Sequence, residues 1–524
     1  MRLRSIASIT TGLGLLTASL GCSVILDFPQ CVDDIDCTNA QGVELVCRNS
    51  ECIEPIPPST VACQTDADCV AAFDASVVCG VGNVCAGLTT ARCELLVQPQ
   101  GIASENIVYI GSVLPRTGTY TELGRPLEFA IQLAVEDFNS SASLPGGAKV
   151  GFVGCDSQGD PALAAEAARE LTAAGIAGIV GPGLSSSVIE TANVTAPARS
   201  LLISPSASAR LLAALNDQDL VWRTTGNDAV QGAAIAERIA SLEPVPQRVV
   251  ALVKNDIYGQ GLLEDMAPRL ADVLPNDGLG TVLYSEIDSF SDSQELLAEY
   301  GARVATAFDR DPDVIVILGS VEARELILFY LEAWAGADPR PPLPRFIVSN
   351  EAIVALDDIV DGVSESFKAS LMANLEGITH ASIDEDNFGQ WEIRYGIRFD
   401  ADAGLSAGLA YDAAMMLLLA YSALPPGADG PALAGALERL SDPSGTAVSF
   451  GQGLSFIGAV QQTLGAGGNV DLRGISGELG FVVDSGDTPR DLTGWNVEPI
   501  SGTLRPTLRA RRHYDRAAGT WTDL

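Results

Sequence analysis

Two stretches decide the reading of this chain. They are Ile176-Ala-Gly-Ile-Val-Gly-Pro-Gly-Leu-Ser-Ser-Ser-Val188 and, a little further on, Leu201-Leu-Ile-Ser-Pro-Ser-Ala-Ser208. Ile176 to Val180 is a short apolar run cut off by Gly-Pro-Gly, and Ser185 opens an amphipathic segment that reaches Ala198. A strand, a tight turn and a helix start leave unpaired N–H groups beside hydroxyls, which is the outline of an anion site. The plainer alternative is that Ser185 caps a helix and that Ser206 and Ser208 form a turn after Pro205.

Working outward, the same rhythm repeats. Ile107 to Leu114 and Lys149 to Gly154 are β-rich, and Leu127, Ala130, Ile131, Ala134 and Phe138 fall at helical spacing between them. Asp160-Pro161 is an N-cap with a first-turn proline, opening an alanine-rich helix. A second series follows, with strands at Arg248 to Val253, Thr281 to Ile287, Asp313 to Gly319 and Phe346 to Ser349, and helices between them. A further helix spans Leu405 to Ala423, and a glycine-rich region of β character runs from Gly465 to Trp495. The expected fold class is α/β, with two lobes built on parallel sheets whose ligands sit at the carboxyl ends of strands.

The composition narrows the functions. The 524 residues allow roughly two to four domains. A net charge of -36, from 67 acidic against 31 basic residues, argues against nucleic acid or an anionic membrane surface as partner. With two histidines, His380 and His513, a Ser-His-Asp triad or a His-rich metal site lacks raw material, and no cofactor or metal is expected. At the start, Arg2 and Arg4 precede a mostly apolar stretch from Ile6 to Leu20 that ends in Gly21-Cys22. That is the layout of a secretory signal, residues 1–21. Because the residue after the cut is cysteine, it resembles a bacterial lipoprotein signal, with Cys22 lipidated and residues 22–30 as a linker. The expected location is the cell envelope, periplasmic or surface-facing, with lipid as the sole anchor.

Between residues 31 and 93 lies a cysteine-rich collar. Cys31, Cys37, Cys47 and Cys52 are followed by Cys63, Cys69, Cys79 and Cys85, the first three of each set keeping identical gaps, so the region is a tandem repeat. A four-cysteine unit with few large apolar side chains needs a staple. Disulfides in an oxidising compartment are expected over zinc, because the close Cys-x-x-Cys pairs of zinc ribbons are absent. Each unit then has two bridges whose pairing stays open. The acidic pairs Asp34/Asp36 and Asp66/Asp68 read as solvated faces rather than calcium ligands. Cys93 and Cys155 are left over, either paired with each other, tying collar to body, or free.

The body resembles the leucine/isoleucine/valine-binding type of periplasmic solute receptor over about residues 105 to 495. The resemblance rests on Ile110-Gly-Ser-Val-Leu-Pro-Arg-Thr-Gly, Gly159-Asp-Pro, Ile179-Val-Gly-Pro-Gly-Leu-Ser-Ser-Ser and Ile203-Ser-Pro-Ser-Ala-Ser, in that order. Trp222-Arg-Thr-Thr-Gly, Tyr258-Gly-Gln-Gly-Leu, Asp313-Val-Ile-Val before Gly319, and Ala410-Tyr-Asp-Ala continue it. It implies two interleaved lobes, 105–226 with about 374–465 and 227–373 with about 466–524, closing over a small ligand. It also implies that Ser185 and Ser208 hold an amino-acid carboxylate with the backbone of Gly183, Ser206 and Ala207. Tyr258 would approach from the second lobe, and Glu351 would meet the ligand ammonium. Leu123 and Ser320 stand where the family usually has aromatic walls, so the part of the cleft that selects a side chain differs. Tyr258 as a packing residue and Glu351 as a solvated turn acid remain the alternatives.

The leading expectation is therefore a lipid-anchored receptor for an amino acid or similar small carboxylate, passing it to an ABC permease. A ligand sensor or structural envelope protein with the same lobes is the competing class. An enzyme is disfavoured, since two histidines leave little for a catalytic triad and no zinc-binding histidine pair is present.

Overall fold

The computed structural model describes residues 46–48, 51–53, 58–290, 292–355, 359–360, 362–380, 386–450, 453–499 and 506–524. The proposed signal, Cys22, Cys31 and Cys37 lie outside them. The chain divides into two compact units, 1–60 and 61–524. In the first, β1 (Val46–Arg48) pairs antiparallel with β2 (Glu51–Ile53), setting Cys47 opposite Cys52.

The second unit opens with the second collar repeat. Helix Asp66–Ala72 packs on the hairpin of β3 (Val77–Cys79) and β4 (Cys85–Gly87). Disulfides Cys63–Cys79 and Cys69–Cys85 staple it, joining first to third and second to fourth cysteine. The acidic pair is structural: Asp68 accepts the N–H groups of Gln64 and Thr65, each at 2.9 Å, and Asp66 accepts that of Cys79 at 2.8 Å. These bonds cap the helix and fasten the hairpin to it. Cys93 pairs with Cys155, so the repeat is riveted to the body.

β5 (Leu95–Val97), β6 (Ile107–Leu114), β7 (Lys149–Asp156), β8 (Gly178–Val180), β9 (Leu201–Ser204) and β10 (Val221–Arg223) form one sheet in the order β10-β9-β8-β6-β7-β5. All its pairings are parallel except that of β5, which follows the collar and forms the edge of the sheet beside β7. The second sheet contains β11 (Val249–Lys254), β12 (Leu279–Tyr284), β13 (Val314–Leu318), β14 (Arg345–Val348) and β15 (Leu375–Thr379). After the small sheet of β16 (Thr446–Ser449), β17 (Val470–Gly474) and β18 (Gly477–Glu478), the chain adds β19 (Leu492–Pro499), β20 (Pro506–Asp515) and β21 (Thr520–Asp523) to that second sheet. Its order is β12-β11-β13-β14-β15-β19-β20-β21, parallel as far as β15 and antiparallel beyond.

The lobe crossings differ from those expected at about 374 and 466. β15 belongs to the second sheet, so the return to the first lobe comes after His380. Val470, Leu472, Ile475 and Leu479 pack into the first lobe's core, so the last crossing comes after β18. The physical reason is pairing: Leu375–Thr379 completes a ladder with β14 that a crossing at 374 would leave unpaired. Helix Gly404–Ser422 is apolar but for a few residues and buried from Ala407 to Tyr421, Met415 to Ala420 being fully inaccessible, against helix Thr121–Ser141. Arg223 ties the crossings together. It pairs with Asp487, Thr488 donates to its carbonyl at 2.6 Å, and Arg490 donates to that of Thr224 at 2.7 Å.

Candidate functional site

The carboxyl ends of β8, β9 and β10 deliver three small-residue turns to one place. Gly181 turns the chain at φ 109°, and a β-carbon there would fall 2.4 Å from the Val113 carbonyl oxygen, a conformation and a closeness that exclude a side chain. Helix Ser185–Thr195 then begins beside the turn that follows β9. The Ser206 hydroxyl donates to the Gly183 carbonyl at 2.8 Å, and the Ser185 oxygen accepts the Ala209 N–H at 3.2 Å. Ser204 donates to the Pro182 carbonyl and accepts the Ala207 N–H. The two turns are thus laced to each other. Leu123, from helix Thr121–Ser141, covers Gly183. Ser208 is fully buried, and its hydroxyl has no hydrogen-bond partner.

The second lobe faces these groups. The Ser208 carbonyl accepts the Asp228 N–H at 2.9 Å; Asp228 accepts from the Gln231 amide at 2.8 Å, and Gln231 in turn accepts the Asn350 N–H at 2.7 Å. Asn350 also holds Thr379 and the His380 backbone. Beside Asn350, the Glu351 N–H points to the Tyr258 hydroxyl at a long 3.5 Å. Thr225 Oγ1, Asp228 Oδ2 and His380 Nδ1 are buried without partners, like Ser208 Oγ. Burial pushes the Glu351 carboxyl well above the usual range, despite the opposing pull of Lys254. Burial likewise lowers His380, against Asp228, and raises Tyr258.

At the far end of the same face sits a group that sequence inspection missed. Lys254, which ends β11 and is 2% exposed, lies 2.9 Å from Glu286, 3.3 Å from Glu322 and 3.4 Å from Asp256. Its ammonium donates to the Tyr120 hydroxyl of the first lobe at 2.9 Å. Ser320 donates to Glu322 at 2.9 Å, so Ser320 orients an acid rather than walling a pocket by itself. Burial works against both charges, but Glu322, Tyr120, Asp256 and Glu286 hold Lys254 well above its ordinary value, and Lys254 with Ser320 holds Glu322 below its own.

The structure therefore gathers Ser185, Gly183, Ser206, Ala207, Ser208 and Leu123 on one side, and Tyr258, Glu351 and Ser320 on the other. Asp228, Gln231, His380, Lys254 and Glu322 join them. Two of these newcomers carried a signal: Lys254 is a charge closing an otherwise apolar strand, and Asp228 follows the Thr-Thr-Gly turn that ends β10 just as the serines end β8 and β9. Among the described residues, the one cluster of metal-ligating atoms is Cys63, Cys69 and Cys85, and all three are engaged in disulfides.

Comparison with known proteins places this architecture. Residues 107–323 match the family model described as periplasmic binding protein. The chain is 27% identical over 409 residues to the chemotactic signal transduction system substrate-binding protein BasB of Halobacterium salinarum, covering 76% of this chain and 86% of that protein. It is 33% identical over 155 residues to the Leu/Ile/Val/Thr-binding protein of Salmonella typhimurium, a match covering 29% of this chain and 40% of that protein. Among solved structures, the leucine-binding protein LivK of Thermotoga maritima superposes with a TM-score of 0.57 at 19% identity, covering 77% of this chain and 98% of that one. The fold is therefore that of the type 1 periplasmic binding proteins, and residues 107–323 match the periplasmic binding protein family model in sequence.

Proposed function

We propose that this chain is an extracytoplasmic solute receptor that closes its two lobes over an amino acid or a related small carboxylate. The observation that carries this reading is the convergence of buried, unpaired polar atoms between the lobes: Ser208 Oγ and Thr225 Oγ1 on the first, Asp228 Oδ2 and His380 Nδ1 on the second. An unmet buried donor or acceptor costs about 1–3 kcal/mol, so four together favour a polar guest. Ser185, Ser208 and the N–H groups of their turns suit the carboxylate, while Asp228 and Glu351 suit the ammonium. The relatives are binding proteins by name, which accords with a site that binds and releases without covalent chemistry.

Delivery to an ABC permease is one use of such closure. The long match to a chemotactic signal transduction protein favours a second, in which the closed form is read by a signalling partner in the envelope. In either case Cys22 is the proposed lipid attachment point.

Thermal denaturation of the purified protein with each of the twenty amino acids and a set of small carboxylic acids tests the binding reading. A saturable rise in melting temperature, abolished by Ser185→Ala combined with Ser208→Ala, is the expected result. The absence of any rise, with nothing small released on denaturation, overturns it.

A further inference from the structure

The carboxylate clamp leaves open which side chain the site prefers. Leu123 covers Gly183, and Tyr120, at the N-cap of the same helix, reaches across to Lys254. The end of the cleft away from the serines is consequently formed by Tyr120, Lys254, Glu322 and Glu286. Lys254 and Glu322 are 2% and 0% exposed while Glu286 reaches solvent, so this surface runs from the interior out to the rim. Three carboxylates surround one ammonium there. The Tyr284 hydroxyl, fully buried and without a partner, lies against Gly319 beside them.

We infer that this site takes an amino acid whose side chain ends in a polar or charged group, read by Lys254 and Glu322, rather than an aliphatic one. The inference rests on the receptor reading above. A branched aliphatic end set against this cluster would bury charged and hydroxyl groups while returning no hydrogen bond, whereas a polar end exchanges its water contacts for protein ones. Discrimination built on hydrogen bonding is steep, because the group lacking a partner stays buried and unpaired. Leu123 and Ser320 fit the same scheme: one is a modest apolar wall over the clamp, the other a hydroxyl that aims Glu322.

Isothermal titration of the full chain with leucine, isoleucine, valine, serine, asparagine, glutamine, glutamate, lysine and arginine tests it. A polar or charged member should bind at least about tenfold tighter than the three aliphatic ones. The double variant Lys254→Met with Glu322→Leu, its folding checked by a cooperative melt, should narrow or invert that preference. Leucine, isoleucine or valine as the tightest ligand of the unaltered protein overturns the inference while leaving the receptor reading in place. An undiminished polar preference in a cooperatively melting double variant also overturns it. Failure of all nine to bind counts against the receptor reading itself and removes the ground of the inference with it.

Discussion

The Lys254 ammonium, carried by the second lobe, lies 2.9 Å from the hydroxyl of Tyr120, carried by the first. Tyr120 in turn donates to Glu286 at 2.8 Å, and nearby Thr119 meets Asp288. At the opposite rim Arg210 of the first lobe pairs with Glu264 and Asp265 of the second. The lobes are thus fastened at both rims of the cleft. Exposed pairs such as Arg210–Glu264 are worth little, so the buried contact of Tyr120 should dominate. Tyr120→Phe removes the cross-lobe bonds with little change in shape. It should lower the melting temperature of the ligand-free protein and increase its radius of gyration in solution scattering. Unchanged values for both would show that this contact does not hold the lobes together.

Ser208 and Ser206 should respond in opposite ways. The buried Ser208 hydroxyl is unpaired, so Ser208→Ala should leave the empty protein as stable or slightly more stable, while weakening ligand binding roughly tenfold. Ser206→Ala loses the bond to the Gly183 carbonyl and should cost about 1 kcal/mol of stability without ligand. Chemical denaturation and titration of both variants separate the two; a large stability loss for Ser208→Ala would contradict the assignment.

Ligand binding should release a proton. In the empty cleft, burial raises the Glu351 pKa well above its ordinary value, favouring the neutral acid. A bound ammonium favours the carboxylate, so the complex holds fewer protons than the free protein, and affinity should rise with pH across the interval between the two values. Calorimetry in buffers of different ionisation enthalpy reads the proton directly. Glu351→Gln should abolish the release; proton uptake by the unaltered protein would reverse the assignment.

The Cys93–Cys155 bridge closes a segment of 62 residues, and losing it should cost about 2–4 kcal/mol. Cys93→Ser with Cys155→Ser, compared by guanidinium denaturation, checks this. Because β5 follows Cys93 directly and pairs with β7, the double variant should also speed amide exchange along Leu95–Val97.

Much of the architecture was legible from residues 176–208 outward, because apolar strands ended by glycine, proline and serine report their own boundaries. The duplicated cysteine spacing announced a stapled repeat, yet nothing in it favoured one pairing over another; the helix and hairpin that bring Cys63 to Cys79 and Cys69 to Cys85 decided that. Asp68 is exposed, as a solvated face requires, but the backbone N–H groups that it and Asp66 accept, from Gln64, Thr65 and Cys79, follow from the folded repeat.

What the sequence alone determined is the alternation of strand and helix, the serine turns and the acidic, histidine-poor character, all properties of neighbouring residues and of composition. What only the tertiary structure decided is the company those turns keep. Asp228, Lys254, Glu322 and His380 come from four separate stretches, and Tyr120 from a fifth. They meet because the parallel strands of two sheets present their carboxyl ends to each other across three crossings of the chain. Such meetings depend on long-range pairing and burial, which no local pattern encodes, so the serine turns could be read from the chain while the cluster opposite them required the fold.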